Sequence, residues 1–92
     1  MGERLLVVEE AFVTRGRGVL LAPRFTLSPT LEMPRAGAFR VMLRFPGGTE
    51  REASAELEIS HVRGTLAPYA MLRLTELTPD DVPELTEVWT IA

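Results

Sequence analysis

The chain has 92 residues, a formal net charge of −3 and no cysteine, which excludes a disulfide framework and thiolate chemistry. That length makes one domain, burying roughly 60–65% of its unfolded surface, and 46% apolar with 25% charged residues is a globular rather than a disordered composition. No apolar run reaches the ~20 residues of a membrane span, and MGERLLVVEE lacks the basic start and cleavage site of a signal peptide, so a cytoplasmic protein is expected.

Leu5 to Val13 is a mostly apolar run, interrupted at Glu9 and Glu10, and it ends where Arg15 and Arg17 alternate with Gly16 and Gly18. Val19, Leu20 and Leu21 restart an apolar stretch towards Phe25 and Leu27. The two runs predict a hairpin with TRGRG as its turn. In that reading Gly16 or Gly18 supplies a positive φ at no steric cost, and Arg15 and Arg17 project from the turn, where they are also placed to bind a ligand. SPTLEMPRAG then carries three turn signals, Pro29, Pro34 and Gly37, and reads as a long connection.

The next strand is clear. Phe39, Val41, Leu43 and Phe45 fall on one face, and Arg40, Met42 and Arg44 on the other. After the turn PGG, Ala53, Ala55, Leu57 and Ile59 share a face opposite a row of glutamates at 50, 52, 56 and 58. This period of two marks a half-buried antiparallel strand, and a slip of one residue would bury the glutamates. If the two strands pair, Arg40 and Arg44 meet that row as cross-strand ion pairs; the same arginines could instead serve as a ligand-binding pair.

APYAMLRLTEL predicts a further strand with Ala70, Leu72 and Leu74 on one side. TPDDVPEL breaks it, with Thr78 capping a single helical turn that starts at Pro79, and TEVWTIA closes the chain. About six or seven short strands at this spacing predict an all-β fold, a small antiparallel β-barrel closed or nearly so, with at most one short helical turn.

Catalytic constellations are not apparent. His61 is the only histidine, so a closed structural zinc site of the usual kind cannot be assembled within one chain, and no metal is expected. Nothing places an orienting carboxylate beside His61 and Ser60 to activate a nucleophile. Asp80 and Asp81 suit the positive end of a helical turn. No P-loop, dinucleotide fingerprint or calcium loop is present, and neither a nucleotide nor any other cofactor is expected. RVMLR, Arg40 to Arg44, has the RxxxR spacing of cyclic-di-nucleotide-binding PilZ barrels, but the Asp/Asn-x-Ser-x-x-Gly element that accompanies it there is missing. All ten basic residues are arginine, which reflects either coding bias or phosphate recognition by the guanidinium fork. The negative net charge opposes free-standing affinity for nucleic acid, while leaving room for a local basic patch.

EEAFVTRGRGVLLAP, Glu9 to Pro23, resembles the start of the second domain of translational GTPases such as elongation factor Tu. There an acidic residue, a phenylalanine and GRG lead into a valine-rich strand, and Glu10, Phe12, Gly16, Arg17, Gly18 and Val19 stand in the matching places. The strand around Val41 and Leu43, AELEISHVRG, and YAMLRLTELTPDDVPELTEVW follow in the same order more loosely. The family usually has glycine before the penultimate strand, where Ala67, Pro68 and Tyr69 stand here, and before the closing strand, where Leu85 stands. The GTP-binding domain that precedes this barrel in the family has no counterpart in the sequence. The resemblance implies a barrel of the translation-protein type and does not imply nucleotide hydrolysis.

The expected function is therefore a non-catalytic binding or accessory module, acting through a protein partner or as a homodimer. Met71, Leu77, Trp89 and Ile91 lie opposite the inward set of their strands and are the interface residues to look for, unless the SPTLEMPRAG loop covers them. The alternative is an RNA- or ribosome-contacting module using Arg15 and Arg17, with Arg35 and Arg63. An enzyme is the least supported of the three.

Overall fold

Strict alternation from Glu50 to Ser60 satisfies both solvent and core only as a strand with one face turned inward. The computed structural model describes residues 2–13, 18–26, 37–60 and 69–91. It contains seven strands: β1 (Arg4–Val7), β2 (Glu10–Val13), β3 (Val19–Thr26), β4 (Phe39–Arg44), β5 (Glu50–Ser60), β6 (Tyr69–Leu74) and β7 (Glu87–Thr90). They form one antiparallel sheet in the order β1-β7-β4-β5-β6-β3-β2, curled into a half-barrel. The only helical piece among the described residues is a 3-10 turn, Pro79–Asp81, so no described helix is long and apolar enough to cross a membrane.

The single run expected from Leu5 to Val13 is divided at Val8 and Glu9 into β1 and β2, which form opposite ends of the sheet. Val8 N–H donates to Thr86 O (2.8 Å) and Val8 O accepts from Leu85 N–H (2.8 Å), whereas Glu9 N–H donates to Ala22 O (2.9 Å). At this point the chain passes from pairing with β7 to pairing with β3. Because the terminal strands of the sheet are consecutive in sequence, the sheet must curl for both pairings to form.

The hairpin expected at PGG joins β4 to β5, with Val41 opposite Ala53 and Arg44 opposite Glu50. Phe45 N–H donates to Thr49 O and Gly48 N–H to Phe45 O, both at 2.9 Å, and Gly48 takes φ +94, where a side chain would be strained. At the other hairpin Gly18 has φ +81. Gly16, Arg15 and Arg17 lie outside the described residues, as do Arg35, His61 and Arg63.

The inner face is aliphatic. Val19, Leu21, Val41, Leu43, Ala55, Leu72, Leu74 and Val88 are fully buried, with Leu6, Val8, Ala53 and Val82 completing the cluster. Leu77 belongs to this cluster at 4% exposure, which corrects the expectation that it lies outside as an interface residue. Strand β6 ends at Leu74, so the alternation that placed Leu77 outside does not extend to it. Buried Thr86 is satisfied locally, its hydroxyl donating to Pro83 O at 2.7 Å.

The 3-10 turn is held by its own acid. Asp81 Oδ2 accepts from the Thr78 N–H (2.9 Å) and from the Thr78 hydroxyl (3.1 Å). These bonds, the backbone one first, hold the Asp81 pKa below its ordinary value of 3.8. A folded-state pKa below the unfolded one gives stability that is complete above the unfolded value and is lost as pH falls through the folded one. Asp81→Asn should therefore flatten the decline in melting temperature below about pH 4. A variant whose acid limb parallels that of the parent would show that the cap contributes nothing.

Candidate functional site

Since β4 turns Val41 and Leu43 into the core, Arg40, Met42 and Arg44 must point outward. Pairing with β5 and β7 sets their neighbours. Met42 stands opposite Glu52 on one side and Trp89 on the other, and Arg44 stands between Glu50 and Glu87. Arg44 Nε donates to Glu50 Oε2 at 2.9 Å, and its guanidinium lies 5.2 Å from the centre of the Trp89 ring. The Trp89 indole N–H donates to Glu87 Oε1 at 2.9 Å, which fixes the ring against the sheet.

Arg40 is doubly engaged, through Nε to Glu52 Oε1 (3.1 Å) and Nη1 to Glu76 Oε1 (3.0 Å). The hydrogen bond to Glu52 is the largest contribution raising its pKa above an already high value, so its charge is permanent. Arg40–Glu52 and Arg44–Glu50 are the cross-strand ion pairs expected from the sequence, whereas Glu76 comes from beyond the end of β6. Half-exposed pairs of this kind add little to stability, and both arginines already have carboxylates for partners. An incoming phosphate would compete with those glutamates for the nitrogens already engaged.

Beside the Arg44–Glu50 pair lies an open groove of about 310 Å³ lined by Gly2, Met42, Trp89, Thr90 and Ile91. Its floor is apolar, and Ile91 is 44% exposed at its edge. The wall at Gly2 depends on the absence of a side chain, because a Cβ there would lie 1.5 Å from Thr90 O. Glu3 N–H to Thr90 Oγ1 (2.7 Å) and Thr90 N–H to Glu3 O (2.8 Å) hold that edge. The volume is at the bottom of the roughly 300–1,000 Å³ range of small-molecule sites. It suits one or two aliphatic side chains.

Of the residues singled out in the sequence, the structure gathers Arg40, Arg44, Trp89 and Ile91 on this face, with Met42 at its centre. Met71 is elsewhere, half-buried on the outer side of β6 opposite Glu58. Next to it the alternation misses a feature: Arg73 lies on the outward side of β6 yet is only 6% exposed, paired with Glu58 and with its Nε lacking a hydrogen-bond partner. Arg24 stacks on Tyr69 nearby at 4.4 Å. A second feature is Leu85, at φ 74 the only non-glycine with positive φ among the described residues, and 62% exposed.

The described residues include no group of three or more His, Asp or Glu side chains able to hold a metal ion. Comparison of the chain with protein-family models, characterised proteins and solved structures finds no match.

Proposed function

We propose that the chain is a non-catalytic binding module with a barrel of the translation-factor kind, acting through a protein partner or by self-association at the β7–β4–β5 outer face. The apolar groove carries this reading. Tryptophan, methionine and arginine are the residue types that interface cores favour, and here they line a groove whose charged rim is already paired. A partner can cover such a surface without leaving a buried charge uncompensated.

The barrel type draws support from Leu85. In the translational GTPase family a glycine usually stands at that position, and the backbone here adopts the conformation a glycine would take most easily. The RNA reading gains nothing from the described face, where Arg40 and Arg44 are bound to glutamates.

The test is capture on the immobilised chain, comparing wild type with Met42→Glu, which places a charge in the groove floor. Partners retained by the wild type and lost with Met42→Glu support the reading. Binding that survives Met42→Glu and falls steeply with salt would instead identify a phosphate-binding surface and overturn it.

A further inference from the structure

We draw no further inference here: the strongest candidate, the apolar groove beside the Arg44–Glu50 pair on the β7–β4–β5 outer face, belongs to the site already described, and nothing in the structure shows what covers it.

Discussion

Gly18→Val should destabilise the fold by roughly 3–5 kcal/mol, the sum of a strained positive φ and an overpacked contact. Gly18 has φ +81, and a Cβ there would lie 2.0 Å from Leu74 O. The obstacle is backbone, so no side-chain rotation relieves it. The clash falls where β3 begins to pair with β6, at Val19 opposite Leu74, so relief would require opening that ladder. A domain of this size has about 5–15 kcal/mol in all, and the variant should be close to unfolding at ambient temperature. Gly18→Ala should show most of the loss, since the Cβ itself causes it. Gly47→Ala, where a Cβ meets nothing within 4 Å, serves as the control. Denaturant midpoints of the three variants decide the matter, and equal midpoints at positions 18 and 47 would contradict the structure.

Leu77→Ala should cost about 2–5 kcal/mol, the usual range for a leucine truncated in a core. Leu77 is 4% exposed and packs in the cluster that also holds Val82. Ile91→Ala provides the contrast, because Ile91 is 44% exposed on the groove edge and surface truncations generally stay within about 0.5 kcal/mol. Thermal melts at a concentration low enough to avoid association compare the two directly. A Leu77→Ala variant as stable as Ile91→Ala would return Leu77 to the surface.

The sequence made the sheet legible where alternation was long and one-sided. From Phe39 to Ser60 each face can be read residue by residue, because any other register would bury glutamates, and the Arg40–Glu52 and Arg44–Glu50 pairs follow from that register. Alternation stops informing where strands stop. Leu77 lies beyond the end of β6, in a segment that bends back over the core, so counting by two misplaced it. The division at Val8 and Glu9 was hidden for a similar reason: one apolar run serves two sheet partners, and period alone does not show a change of partner. The burial of Arg73 depends on what packs over the outer side of β6, a non-local fact that its own strand does not encode. Leu85 is a different case. Its sequence signal was the absence of a glycine, and only backbone geometry turns that absence into a strained, displayed leucine.

Trp89 is the only tryptophan in the chain and stands on the groove floor, so its fluorescence reports on that surface without labelling. Acrylamide quenching of Trp89 across a dilution series is the most direct measurement of whether the groove is closed by a second copy. Quenching that weakens as concentration rises, with emission moving to shorter wavelength, and that no longer changes in Met42→Glu, is the predicted result. A Trp89 equally accessible to quencher at the lowest and highest concentrations would contradict it.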